Sequence, residues 1–167
     1  PLILMGYLNP IMKFGFEAFC QKCVECGIDG VIIPDLPFKD YEETYKPIAD
    51  RYDIRVIMLI TPETSEARVR EIDEHTDGFI YMVSSAATTG AQKDFDSQKQ
   101  AYFKKIQDMH LRNPRMVGFG ISNKQTFDAA CANSSGAIIG SRFVTLLNEA
   151  EGDAEKAITQ LKEGLKK

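Results

Sequence analysis

Two short segments set a glycine between an apolar run and a helix-like stretch: Phe119-Gly120-Ile121-Ser122 and Ile139-Gly140-Ser141. A glycine at such a junction lets the backbone approach an anion closely, and the N–H groups of the following turn donate to it. The Ser141 hydroxyl adds a donor. Either glycine alone serves equally well to turn the chain, but two in consecutive units favour a phosphate. Asp35, between Pro34 and Leu36-Pro37, can act as a base or polar anchor, or can simply form a turn; both readings stay open. Tyr81 sits in an apolar run and carries a phenol suited to a ligand pocket or to the core. Beyond it, Ser84 to Gln92 is small and polar, the composition of a mobile lid or of a surface loop. Ala86–Lys93 is expected to be the least ordered internal segment, since it has few apolar anchors to offset the cost of ordering it.

Other chemistries lack their residues. Cys20, Cys23 and Cys26 spell part of an iron–sulfur ligand run. They also share the spacing of Phe16, Phe19 and Val24, one buried helical stripe closed by Gly27. Cys131 is far along the chain, so core packing is the better reading and no metal is expected. Free thiols fit a reducing compartment, so the expected location is cytoplasmic. His75 and His110 fall at helix ends without an Asp or Cys in motif spacing. No zinc, nucleophile-elbow or Walker motif occurs.

The elements that must position these residues alternate regularly. Apolar, β-branched runs lie at Leu2–Leu8, Gly30–Pro34, Arg55–Ile60, Gly78–Val83, Met116–Phe119 and Ala137–Gly140. Between them come helical patterns. Phe16–Cys26 is one. Asp40 and Glu43 look like a capping box ahead of Tyr41, Tyr45, Ile48, Ala49 and Tyr52, with Pro47 kinking or delaying that helix. Ser65 caps a helix burying Val69 and Ile72. Tyr102, Phe103, Ile106, Met109 and Leu111 mark a fourth, and Phe127, Ala130 and Cys131 a fifth. Ala157, Ile158, Leu161 and Leu165 give the last.

Six strand-then-helix units imply a parallel sheet covered by helices. A dinucleotide fold needs G-x-G-x-x-G after its first strand, and Met5-Gly6-Tyr7 offers none, so a (β/α)8 barrel is the better reading. Six of eight units would occupy about 190 residues of a typical barrel of about 250, the same order as this chain of 167. The expectation is a single partial TIM-barrel domain over 1–167, holding units three to eight. The missing part would precede Pro1, where the chain opens inside an apolar run.

Composition is that of a globular protein: 44% hydrophobic, 26% charged, with 24 acidic against 20 basic side chains and a net charge of -4. That balance argues against a nucleic-acid partner, which needs a basic face. No apolar run approaches the roughly 20 residues of a membrane span, so no membrane association is expected.

Taken in order, Leu4-Met5-Gly6-Tyr7-Leu8-Asn9-Pro10, Gly27 to Pro37, Tyr81 to Ser84, Thr88-Thr89-Gly90-Ala91 and Gly118-Phe119-Gly120-Ile121-Ser122 resemble the tryptophan synthase alpha chain family. The resemblance implies a (β/α)8 lyase that cleaves indole-3-glycerol phosphate into indole and glyceraldehyde 3-phosphate. By motif, Gly90, Gly120, Gly140 and Ser141 match the phosphate positions. Tyr81, Phe119, Met5, Ile32 and Ile138 match the walls of the indole pocket, and Thr89 the lid threonine. Asn9 and Pro37 match the rim facing the beta chain. No cofactor is implied here, pyridoxal phosphate belonging to the beta partner. The family's acid/base carboxylates lie on and just after its second strand, before Pro1, so no catalytic residue is assigned and the fragment is expected to be inactive alone. Two other functions compete. One is another phosphate-binding barrel, such as indole-3-glycerol-phosphate synthase or a histidine-pathway isomerase. The other is a non-catalytic module that activates a partner. Strand edges left unpaired at Leu2–Leu8 and Ala137–Gly140 predict self-association.

Overall fold

The computed structural model describes residues 1–84 and 94–166, with the backbone alone at 94–96. Thr89, Gly90 and the expectation for 86–93 lie outside the described residues. The chain forms two compact units, Pro1–Ile60 with Thr64–Ile80, and Thr61–Glu63 with Tyr81–Lys167.

The first unit runs β1 (Ile3–Met5), α1 (Leu8–Phe14), α2 (Phe16–Glu25), β2 (Gly30–Ile32), α3 (Phe38–Asp40), a π-helical turn (Tyr41–Tyr45), α4 (Lys46–Arg51), β3 (Arg55–Ile57), β4 (Leu59–Ile60) and α5 (Glu66–His75). Strands β1, β2 and β3 are parallel neighbours in that order, with Leu4, Val31 and Val56 in register. Val31, Val56, Ile57 and Ile60 are buried, as are Cys20, Cys23, Ala49, Val69 and Ile72 from the helices. This is the pattern of a sheet covered by helices.

Helix α2 confirms most of its predicted stripe. Phe16, Cys20 and Cys23 are buried, whereas Val24 is exposed. At 3.6 residues per turn Val24 lies about 80° round the helix from Phe16, off the buried face. The helix ends in a Schellman motif. Ile28 N–H donates to Cys23 O at 2.8 Å and Gly27 N–H to Val24 O at 3.1 Å, with Gly27 at φ 69°.

Three expectations need correction here. The Leu2–Leu8 run holds a strand of only three residues, and a helix unforeseen in the sequence begins at Leu8. Pro10 sits in its first turn, where a missing N–H costs nothing. Asp40 makes no capping bond, because the helix has already begun at Phe38 after Pro37. Pro47 is accommodated by the π-helical turn just before it and its place in the first turn of α4. The Arg55–Ile60 run is divided at Met58 into β3 and β4. Ser65 does cap α5, accepting Arg68 N–H at 3.3 Å.

The second unit contains β5 (Ile80–Val83, Tyr81 onward belonging here), α6 (Asp94–Asp108), β6 (Arg115–Gly118), α7 (Lys124–Cys131), β7 (Gly136–Ala137), α8 (Ser141–Glu149) and α9 (Ala154–Gly164). Strands β5, β6 and β7 are neighbours in that order, and β6 and β7 are parallel. The last strand is displaced from the expected 137–140, although Ile138 N–H still donates to Val117 O at 2.8 Å. Tyr102, Phe103, Ile106, Met109 and Leu111 are buried as their spacing predicts. Leu146, Ala150 and Ala157 form a second cluster with Phe143, Leu147 and Leu161. Ile158, expected inside, is exposed, since α9 turns Ala157 and Leu161 inward.

Candidate functional site at the ends of the strands

Gly118 closes β6, and a Cβ there would fall 2.0 Å from Tyr81 Oη. Only glycine leaves room for the phenol of the neighbouring strand. Tyr81 is 5% exposed, and burial pushes its phenol above the ordinary range, so it stays neutral as a wall or a donor. The open choice between pocket and core at Tyr81 therefore resolves toward a buried side chain whose ring packs against Phe119 at a tilt. The two ring centroids are 5.7 Å apart at 53°.

Phe119 departs from local preference in two ways. Its side chain is 52% exposed, and its backbone lies in the left-handed region at φ 65°. For a residue with a bulky side chain that conformation costs on the order of 1–3 kcal/mol and persists only where neighbours impose it. Ser84 is the neighbour. Its N–H donates to Gly118 O at 3.2 Å and its Oγ to Phe119 O at 2.6 Å. Gly120 follows at φ 76°, so the chain makes two successive left-handed steps out of β6. A cavity beside them is lined by Ser84, Phe103, Phe119, Gly120 and Thr126, among others.

The two glycine turns are not equivalent. Gly120 does not lead straight into a helix as expected. Asn123 intervenes as N-cap of α7, its side chain accepting Thr126 N–H at 2.9 Å. The Thr126 hydroxyl in turn takes the N–H groups of Ser122 at 3.1 Å and Asn123 at 3.2 Å. That capping box satisfies donors an anion would otherwise use. Gly140 directly precedes α8 and makes no side-chain cap. The first-turn N–H groups of α8, beginning at Ser141, have no partners within the helix, which leaves them suited to an anion.

The first unit places its share separately. Met5 and Ile32 are ladder partners on β1 and β2; Met5 is 53% exposed and Ile32 is buried. Asn9 and Pro37 are both exposed, on the segments that follow those two strands. Asp35 is a polar anchor, its Oδ1 accepting Leu8 N–H at 2.9 Å. His75 ends α5 and pairs through Nδ1 with Glu42, its ring 6.3 Å from that of Phe38. Among the described residues no group of three or more His, Cys, Asp or Glu is placed to hold a metal ion. Sequence reasoning missed the roles of Ser84 and Asn123. The Asn123-x-x-Thr126 spacing was a readable cap signal, whereas nothing local to Ser84 announces its grip on Phe119.

Parallel strands alternating with helices, and polar turns at the strand ends, define an α/β protein of the (β/α)8 class, of which the chain covers part. The sequence profile of the tryptophan synthase alpha chain family matches residues 1–167. The chain belongs to that family. It is 80% identical over 162 residues to the tryptophan synthase alpha chain of Bacteroides fragilis, a match covering 97% of this chain and 61% of the relative. With that of Bacteroides thetaiotaomicron it is 78% identical over 166 residues, 99% of this chain and 64% of the relative. Among solved structures, the tryptophan synthase A-subunit of Pyrococcus furiosus superposes with a TM-score of 0.83 at 29% identity, covering 99% of this chain and 66% of that one. A chain of the tryptophan synthase complex from the same organism gives 0.82 at 27% identity, covering 99% of this chain and 65% of that one. The chain thus spans somewhat under two thirds of the length of its relatives.

Proposed function

We propose that this chain supplies substrate-binding residues of a lyase that splits indole-3-glycerol phosphate into indole and glyceraldehyde 3-phosphate by a retro-aldol step in tryptophan biosynthesis. The observation that carries the proposal is the β6 turn: an exposed phenylalanine held in a left-handed conformation against Tyr81, with Gly120 next to it. An aromatic face kept exposed at a backbone cost suits a flat indole ring.

The residues divide the substrate between them. Phe119 and Tyr81 cover the indole, with Ile138, the first residue beyond β7, as a further wall. The resemblance gives Met5 and Ile32 the same role. Ser141 and the N–H groups opening α8 hold the phosphate, with Gly120 and Gly140 permitting close approach; the resemblance adds Gly90 to the phosphate positions and gives Thr89 as the lid threonine. Breaking the carbon–carbon bond needs a proton delivered to the indole carbon and another removed from a glycerol hydroxyl. Carboxylates outside these 167 residues carry both tasks, and no cofactor takes part. Pyridoxal phosphate belongs to a beta chain that docks at Asn9 and Pro37, in a cytoplasmic heterotetramer.

The chain has no tryptophan, so indole fluorescence reports the ligand alone. Titration of indole-3-glycerol phosphate should saturate, be competed by glycerol 3-phosphate, and weaken about tenfold in Phe119→Ala, as the loss of one ring contact predicts. Unchanged affinity in that variant would remove the proposal's main support.

A further inference from the structure

Strand β1 and the helix that follows it are tied to β2 and its following loop by two carboxylates as well as by the ladder. Ile3, Leu4 and Met5 pair with Gly30, Val31 and Ile32. Before the ladder, Asp29 Oδ2 accepts Leu2 N–H at 2.7 Å, and Asp29 N–H donates to Leu2 O at 2.9 Å. After it, Gly6 N–H donates to Ile32 O at 3.1 Å, and Asp35 Oδ1 accepts Leu8 N–H at 2.9 Å. Both side-chain contacts span 27 residues, as one uninterrupted parallel register requires.

The two aspartates act on different objects. Asp29 adds to the start of the strand pair. Asp35 reaches the first residue of α1, whose own N-cap, Tyr7, makes no side-chain capping bond. A helix N–H left orphaned by the local sequence is therefore satisfied from the loop after the neighbouring strand. That loop is itself constrained. Leu36 N–H donates to Ile33 O at 3.1 Å, Leu36 is buried, and Pro34 and Pro37 fix φ on either side. Parallel strands put both following segments at the same end of the sheet. One carboxylate thus ties together the segments carrying Asn9, one residue beyond Leu8, and Pro37, two beyond Asp35.

We propose that Asp35 is a positioning residue that fixes the start of α1 against the loop after β2, so that Asn9 and Pro37 form one preset face for a partner. The partner half of this inference rests on the reading of those two residues as the face toward the beta chain. The role requires an acceptor oxygen and not a charge, because the group it serves is a neutral backbone N–H.

The test uses the full-length protein bearing these residues, with a purified beta chain. Amide hydrogen exchange at Leu8 and affinity for the beta chain are measured in Asp35→Ala, Asp35→Asn and Asp29→Ala. Removing the acceptor oxygen should speed Leu8 exchange and weaken the partner about tenfold in Asp35→Ala, while Asp35→Asn, which keeps the oxygen, stays within about threefold of the parent. Asp29→Ala should leave partner affinity unchanged, and the KM for unassisted indole release should be unchanged in all three. Parental Leu8 exchange in Asp35→Ala would overturn the positioning role. Equal loss of affinity in Asp35→Asn and Asp35→Ala would overturn it too, showing a charge in direct contact with the partner. If the parent protein fails to bind a beta chain, the partner half falls with the reading it rests on, and Leu8 exchange still decides whether Asp35 holds the rim.

Discussion

Tyr81, Tyr41 and Tyr102 share one physical condition: burial raises each phenol above its ordinary value of 10.0. For Tyr41 nearby Asp50 and Asp77 push further the same way, and for Tyr102 so does Glu63. In the unfolded chain these groups lose their protons near pH 10, whereas the folded protein keeps them. Their contribution to stability is therefore fully present below that pH and is lost as pH rises through the raised folded values. Alkaline titration should show phenolate absorbance from these three appearing together with unfolding, and Tyr81→Phe should diminish that shared step. Phenolate formation at Tyr81 in a still-folded protein would contradict its burial against Gly118. Residue types alone made Tyr81 and the two glycine turns visible as candidates, whereas Phe119 came only through the resemblance. The positive φ of Phe119 was not legible, because it is imposed by Ser84 from 35 positions away.

Among the elements, the two glycines flanking the entry to β2 illustrate separate reasons for the same residue. Gly27 sits at φ 69°, and a Cβ added there would meet nothing within 4 Å, so Gly27→Ala should cost only the left-handed backbone term, about 1–2 kcal/mol. Gly30 has an ordinary backbone, but a Cβ would meet Arg55 O at 2.8 Å on β3. Gly30→Ala must push two paired strands apart and should cost at least as much, about 1–3 kcal/mol. Urea denaturation of both variants checks this; a neutral Gly30→Ala would mean the β2–β3 pairing is looser than its register implies. The strand runs were legible because buried parallel strands are continuously apolar. Helix α1 was not, since Pro10 falls in its first turn and the N–H of its first residue is satisfied by Asp35 rather than by a local cap. The Asp40–Glu43 pattern misled for a complementary reason: a local capping signal has no effect inside a helix already begun at Phe38.

At the scale of the molecule, strand-then-helix alternation was enough to select a parallel α/β class, and the absence of a dinucleotide fingerprint turned the choice toward the barrel. Function was legible mainly through ordered motifs, from Leu4–Pro10 to Gly118–Ser122, because each binding contact alone is only a glycine turn or an exposed ring. The division of labour proposed here places binding within these residues and proton transfer outside them. Losing positioned acid/base groups costs about 10²–10⁴-fold each. The most direct measurement is stoichiometric release of indole and glyceraldehyde 3-phosphate from indole-3-glycerol phosphate, by the 167-residue chain and by the full-length protein under identical conditions. The account predicts equimolar products from the full-length protein, and substrate binding without measurable release from the chain alone. Turnover by the chain alone at the full-length rate, or no indole from the full-length protein with its beta chain present, would contradict it.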